Sequence, residues 1–393
     1  MSKKNRKWLV FTIMCLAYMP GSYAQYQLSV YAPELIQSFG LTTSQFSSLF
    51  TAPMIVAIFL SFVGGMISDK VGSKKVINIS FVIAGIGMIG RVFANSYMPF
   101  FLCMALTGFS NMFVNINASK ITASWFEQEK LGILMGIFAF CGQLPGAFAT
   151  ATTAVLFDSR TSAFIVSAIF CISVFVLWLL FVKDRPEDTM EEREKIDQEN
   201  QPSIGDSLKV VLSNKGIWLV SICIMMALGS TVTLSTFMPM ALQTMYGIDL
   251  KVCGTIASML TLGNCIGSIT GPIVFSKIKN VKVFVSGAAV LSFAGIIMCW
   301  RFPSIFVLHI LVLYTGIMLG ASMPIFLSAP VLLEGIGTKY AGSAAGVIST
   351  LQLLGAVLIP TYILTPIAGD NYSLLFMLAS ICMVIMFLCG LLL

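Results

Sequence analysis

The sequence predicts an all-α membrane protein whose twelve transmembrane helices form two parallel repeats of six. Three observations predict it. Of 393 residues, 57% are hydrophobic and only 10% charged, with a mean hydropathy of +0.92, whereas soluble domains run at roughly a quarter charged. Charge-free stretches of about 20 residues, the length that crosses a bilayer, recur along the whole chain. Finally, the two halves of the chain align on one another.

The elements follow in order. Span 1 (8–32) succeeds the basic start MSKKNRK and contains a Pro20-Gly21 break; span 2 (46–68) runs apolar into the charged knot GGMISDKVGSKKV. Span 3 (76–94) ends at Arg91, and span 4 (98–119) carries Asn111, Asn115 and Asn117. Span 5 (131–156) opens on LGILMG and holds Pro145-Gly146, and span 6 (163–182) stops at a run of charge. Beyond a polar segment come span 7 (216–241), span 8 (253–275), span 9 (283–300), which ends before Arg301, and span 10 (303–328), which holds His309. Span 11 (342–366) opens on AGSAAG, and span 12 (373–393) closes the chain. Several are apolar all round, so length without charge, rather than periodicity, decides for helices.

Orientation follows from the basic residues. With an even span count both termini share one face, and of the 23 Lys and Arg only Arg91, Arg160, Lys251 and Arg301 fall on the opposite one. Both termini are therefore expected in the cytoplasm, in a bacterial-type inner (plasma) membrane. The net charge of +6 is a topology signal and carries no nucleic-acid inference. Ser22-Tyr23-Ala24 after an apolar run resembles a leader cleavage site. Its loss would leave an odd span count, so the segment is expected to stay as span 1.

Chemistry is sparse. The ten cysteines form no C-x-x-C pair, there is a single histidine, and hydrolase, metalloprotease and P-loop patterns are missing. The expectation is no enzyme, no cofactor and no metal, with any energy drawn from a gradient. Residues 183–215, KDRPEDTMEEREKIDQENQPSIGDSLKVVLSNK, hold nine of the 17 acidic residues and read as a solvated, partly helical linker. The expected domains are 1–183, a linker at 184–214, and 215–393. Placing Gly64 on Gly271 sets Lys70 on Lys277, Lys75 on Lys282 and Val76 on Val283. Three residues further offset, Gly132 and Gly136 fall on Gly342 and Gly346, and Arg91 on Arg301.

The run Gly65-Met66-Ile67-Ser68-Asp69-Lys70-Val71-Gly72-Ser73-Lys74-Lys75 resembles the signature between helices 2 and 3 of the major facilitator superfamily, and with twelve spans and a central linker the resemblance covers the whole chain. It implies alternating access, with the solute at the midplane between the halves. Physically, Gly65 lets span 2 approach a neighbour, Gly72 permits a tight turn, and Lys70, Lys74 and Lys75 hold the loop at the anionic leaflet. The resemblance implies that Asp69 meets the N-terminus of span 11 near Gly342 and Ser343, where the helix dipole favours a carboxylate, forming an inner latch. A merely topogenic loop is the alternative. Two further family signatures are damaged: Met104 stands where many proton-coupled members have arginine, and the antiporter glycines of helix 5 are reduced to Gly142, Pro145 and Gly146. SWFEQEKLGILMG is similar to the cyanate and nitrate-like branch.

The resemblance also implies that spans 1, 4, 7 and 10 line the cavity. Polar candidates for solute contact are Gln25 and Tyr26, with Tyr18, Ser22 and Ser29, in span 1, and Asn111, Asn115 and Ser119 on one i, i+4 stripe in span 4. Span 7 adds Thr233 and Gln243, with Ser230 and Thr236 beside them. Hydrogen bonding that glues the bundle is the competing role for all of these. No carboxylate lies inside a span, Arg91 and Arg301 read as rim anchors that snorkel, and His309 reads as a packing residue. The expectation is a monomeric symporter or uniporter for a small organic solute of low net charge, coupled, if at all, to a proton or sodium ion. The alternatives are an anion carrier using Arg91 or Arg301, with His309 as a further contact, and a non-transporting membrane receptor.

Overall fold

The computed structural model describes residues 3–126, 128–182, 204–332 and 337–393. No strand occurs among them. The helices are α1 (Lys3–Ala17), α2 (Met19–Val30), α3 (Ala32–Phe39), α4 (Thr43–Val71), α5 (Ser73–Phe93), α6 (Tyr97–Trp125), α7 (Gln128–Leu156), α8 (Arg160–Phe181) and α9 (Ile204–Ser213). They continue with α10 (Lys215–Tyr246), α11 (Leu250–Ile278), α12 (Val281–Met298), α13 (Ile305–Leu332), α14 (Gly337–Leu358), a π-helical segment (Ile359–Leu364), α15 (Thr365–Ala368) and α16 (Tyr372–Leu392).

Among the described residues eleven helices are long and apolar enough to cross a membrane. The expected span 1 is not a single helix. It is divided into α1 and α2 by a break at Tyr18, and a second break at Tyr31, at its end, leads into α3; each break is followed by a proline in the first turn of the next helix. Pro20 and Pro33 lack the N–H that would continue the ladder, so the chain restarts at each. Span 11 is likewise interrupted, by the π-helical segment around Pro360. Within the expected linker, α9 packs on α14. Trp218 Nε1 donates to the Leu212 carbonyl at 2.8 Å and fixes the entry to α10.

The start of α4 is set by a reciprocal cap, in which Gln45 N donates to Thr42 Oγ1 (3.2 Å) and Thr42 N to Gln45 Oε1 (2.9 Å). Its end is set by Gly72, whose φ of 95° is one that L side chains rarely adopt. The alignment of Gly64 on Gly271 also brings Thr43 onto Leu250 and Val71 onto Ile278, so α4 and α11 match end to end at 29 residues each. One pairing of the repeat fails. Arg91 lies inside the last turn of α5, whereas Arg301 lies in a turn beyond the end of α12, so the two arginines are not counterparts.

Two compact units divide the chain, one comprising 1–186, 235–261 and 365–372, the other 187–234, 262–364 and 373–393. In the first, α5 runs along α6 and α8, α4 packs on α6, and α2 touches α4, α6, α7 and α8. Its core is aromatic: Phe81 stacks on Phe175 at 5.4 Å beside the fully buried Trp178. In the second, Gly263, Gly267 and Gly271, one turn apart on α11, lie on the backbone of Leu313, Ile317 and Ala321, one turn apart on α13. A Cβ at any of the three would collide with a carbonyl, which is how small residues let membrane helices pack in contact.

Candidate functional site

The polar side chains of the first unit converge on α2, a 12-residue helix with unusually little apolar character for a buried segment. In hydrocarbon each such group needs a partner inside the protein. Gln25 Nε2 donates to the Phe50 carbonyl of α4 at 2.8 Å. Gln27 Nε2 donates to the Ala163 carbonyl of α8 at 3.2 Å. Ser29 donates back to the Tyr26 carbonyl at 2.8 Å. Asn111 of α6 satisfies every neighbour when its amide nitrogen donates to the Tyr18 carbonyl (3.2 Å) and its oxygen accepts from Ser22 N and Oγ (both 3.1 Å). Gly21 makes that approach possible, because a Cβ there would overlap the Asn111 amide.

Two rings flank this polar helix. Tyr18 stacks on Phe138 at 4.7 Å and lies over Gly142, while Tyr26 meets Phe50 edge-on at 5.4 Å and lies over Gly146. The reduced glycine pattern of span 5 thus has a structural role: Gly142 and Gly146, one turn apart on α7, leave room for two tyrosine rings.

Arg91 lies at the centre of this polar cluster, and its burial departs from the expectation of a snorkelling rim anchor. It is 1% exposed. Its Nη1 donates to the Ala24 carbonyl at 2.9 Å and its Nη2 to Gln27 Oε1 at 2.9 Å and to Ser167 Oγ. The guanidinium lies 4.3 Å from the centroid of the Phe164 ring. With acceptors from α2 and α8 already inside the bundle, the side chain gains nothing by reaching for the interface. Its Nε has no partner, and no carboxylate lies within ion-pair distance among the described residues. The result is a buried guanidinium with no counter-charge among the described residues, joined directly to α2.

The remaining candidates separate into closed and open groups. Asn115 and Ser119, one and two turns beyond Asn111, are exposed, whereas Asn117 is buried and donates to Ser68 Oγ (3.0 Å) and the Phe113 carbonyl (2.8 Å). Thr233 turns its hydroxyl to the Gly229 carbonyl of its own helix at 2.8 Å, and Ser230 donates to the Ala379 carbonyl at 3.0 Å. Gln243 is half-buried. His309 Nδ1 pairs with the Ile305 carbonyl at 2.8 Å, and Arg301 is exposed with its guanidinium 5.4 Å from the Trp300 ring. Of the latch residues, Lys74 and Lys75 open α5, while the surroundings of Gly65 and Gly342 and the side chains of Asp69, Lys70 and Ser343 are outside what the structure describes. Sequence reasoning missed Gln27 and Ser167, the partners of Arg91. Gln27 carried a signal, since a long polar side chain within an expected span must find a partner.

Three comparisons bear on this geometry. The family model for the Major Facilitator Superfamily matches residues 10–360. The chain is similar to a probable sulfoacetate transporter of Cupriavidus necator, 24% identical over 87% of this chain and 83% of that protein. It is also similar to a galacturonate transporter of Dickeya chrysanthemi, 22% identical over 75% of this chain and 90% of that one. Among solved structures, a bacterial homologue of the human lysosomal transporter Spinster, inward-facing and unoccupied, superimposes with a TM-score of 0.81 over 99% of this chain and 96% of that one, at 12% identity.

Proposed function

Because the chain belongs to the Major Facilitator Superfamily and is a multi-pass membrane transporter, we propose that it moves a small organic anion, one bearing a carboxylate or sulfonate, across the inner membrane by alternating access. The sequence alone favours a solute of low net charge, because no span carries a carboxylate and the arginines read as anchors. One observation reverses that preference. Arg91 is a buried guanidinium, hydrogen-bonded to α2, with no carboxylate in ion-pair distance among the described residues. A charge kept in that position is costly unless something of opposite sign offsets it. An anion resting against the open side of α2 and α6, where Asn115 and Ser119 are exposed, would supply it. The relatives named for sulfoacetate and galacturonate agree in chemical class.

Asn115, with Tyr26 at the edge of the polar helix, is assigned to orienting the solute, and Arg91 to its charge preference. Coupling to a proton or sodium ion, a monomeric state and cytoplasmic termini complete the proposal. The test is a thermal-shift and uptake panel that pairs each acid with a neutral analogue of the same shape, galacturonate against galactose among them. Stabilisation by acids and not by their neutral analogues is expected. The reverse order would restore the low-charge reading, and stabilisation without uptake by any acid would favour a receptor.

A further inference from the structure

We propose that Thr43 and Asp370 form an outer latch, with the π-helical segment Ile359–Leu364 as its joint, which must open whenever the solute exchanges with the outside; this rests on the alternating-access reading and its orientation. Thr43 is the first residue of α4 and is 4% exposed. Its Oγ1 donates to Asp370 Oδ1 at 2.6 Å, a short charge-assisted bond. Asp370 sits in the turn between α15 and α16, just after Gly369, whose φ is 56°. The carboxylate therefore lies at the N-terminus of α4, where the helix dipole and unbonded amides favour a negative charge.

Independent contacts surround this bond. α15 packs on α4. One turn into α4, Phe46 lies 5.9 Å from Phe237, which is 6.4 Å from Tyr372. Gly254 rests on the Thr150 carbonyl with no room for a Cβ. All these residues belong to the first compact unit, yet each of the later helices concerned leaves it partway along, after 261 in α11, before 235 in α10 and before 365 at the end of the π-helical segment. That last boundary coincides with the segment's final residue, Leu364. A π-helical stretch containing Pro360, which has no N–H to give, is a weak point in an otherwise regular helix. The tip 365–372 can thus stay on α4 or leave it without distorting α14. The hydrogen bond, the Phe46–Phe237 ring contact and the glycine seat are non-covalent contacts that can open reversibly.

The experiment crosslinks the latch. In Thr43→Cys/Asp370→Cys protein, oxidation with copper–phenanthroline should cut uptake at least about ten-fold, dithiothreitol should restore it, and the single variant Thr43→Cys treated alike should be unaffected. Undiminished uptake by crosslinked protein would mean a static contact and overturn the proposal. A second readout needs no substrate. Hydrogen–deuterium exchange of purified protein should rise about ten-fold in peptides within 235–261 and 365–372 for Thr43→Val, stay at the wild-type level for Thr43→Ser, and leave 73–93 unchanged. Unaltered exchange at the tips, or equal acceleration in 73–93, would also overturn it. If uncrosslinked protein takes up no solute at all, the transport reading fails and exchange alone decides the latch.

Discussion

Replacing Arg91 by Met separates the charge of the site from its packing. Methionine is unbranched and flexible enough to fill much of the same channel beside Phe164. The hydrogen bonds lost are those to the Ala24 carbonyl, Gln27 Oε1 and Ser167 Oγ, with a long one to Met104 Sδ at 3.9 Å. Ser167 keeps its bond to the Phe164 carbonyl at 2.8 Å, and the Ala24 carbonyl remains within a helix, so one acceptor, Gln27 Oε1, is orphaned. That costs about 1–3 kcal/mol. Removing a guanidinium that has no carboxylate partner among the described residues returns part of its desolvation penalty, so the net loss of stability falls toward the lower end of that range. Binding is affected differently. A unit charge acting across α2, about 10 Å from an anion at an effective dielectric of about 20, contributes about 1.7 kcal/mol, or about fifteen-fold in Kd. The assay is Kd by microcalorimetry for an acid and its neutral analogue, in wild type, Arg91→Met and Arg91→Lys. The acid should weaken about fifteen-fold in Arg91→Met, hold within a few-fold in Arg91→Lys, and the neutral analogue should not respond. Equal weakening of acid and neutral analogue would show that Arg91 only shapes α2, and would refute the charge argument.

Three other outcomes follow from named contacts. Asp69→Asn should weaken the inner latch by about 0.3–2 kcal/mol and shift labelling by membrane-impermeant thiol reagents toward the inward-open pattern; an unchanged inside-to-outside labelling ratio would leave Asp69 a topogenic residue. Asn115→Ala should raise the solute Kd about ten- to a hundred-fold without loss of stability, since the side chain is exposed, whereas Asn111→Ala should lower the melting temperature by removing the side-chain bonds that tie α6 to Ser22 Oγ and the Tyr18 carbonyl of the α2 start. A melting temperature that falls only in Asn115→Ala would invert these assignments. Gly146→Leu should displace the Tyr26 ring from its seat and impair binding, while Gly136→Leu, on the same helix with open space around it, should be tolerated; similar binding by the two variants would remove Tyr26 from the site.

The positions of the spans were legible because absence of charge over about 20 residues has few explanations besides a bilayer. Their ends were less so. α6 continues past Lys120 to Trp125 although the charge-free stretch stops at Ser119, because a lysine near the interface can keep its head in water while its stem stays on the helix. The break at Tyr18 was announced by Pro20-Gly21, but nothing local chooses a π-helical segment over a simple kink at Pro360. Arg91 was illegible for a different reason. Whether an arginine near a span end snorkels or turns inward depends on the acceptors it meets, and here they come from Ala24, Gln27 and Ser167, each more than 60 positions away. Likewise, period alone puts Asn111, Asn115 and Ser119 on one face, and only packing shows that the face is divided, closed by α2 at Asn111 and open beyond it.

That division bears on how the protein can discriminate. Gln25, Gln27, Ser29 and Asn111 already have partners on α4, α8, α2 itself and α2 in turn. A hydrogen bond to solute would have to displace one of these, leaving a buried group unpaired at about 1–3 kcal/mol. Discrimination by a dense network of donors is therefore expensive at this site. A buried charge behind α2 has no such cost at the moment of binding, because Arg91 is already fixed by its fork of acceptors and need not move. Such a field distinguishes anions from neutral solutes strongly and one small acid from another weakly. Recognition should then be broad across acids of similar size, with shape read by the Tyr26 ring and by Asn115, and a steep preference for one acid over its isomers would require donors from α10, where Gln243 is half-buried and the hydroxyl of Thr233 is turned back onto its own helix.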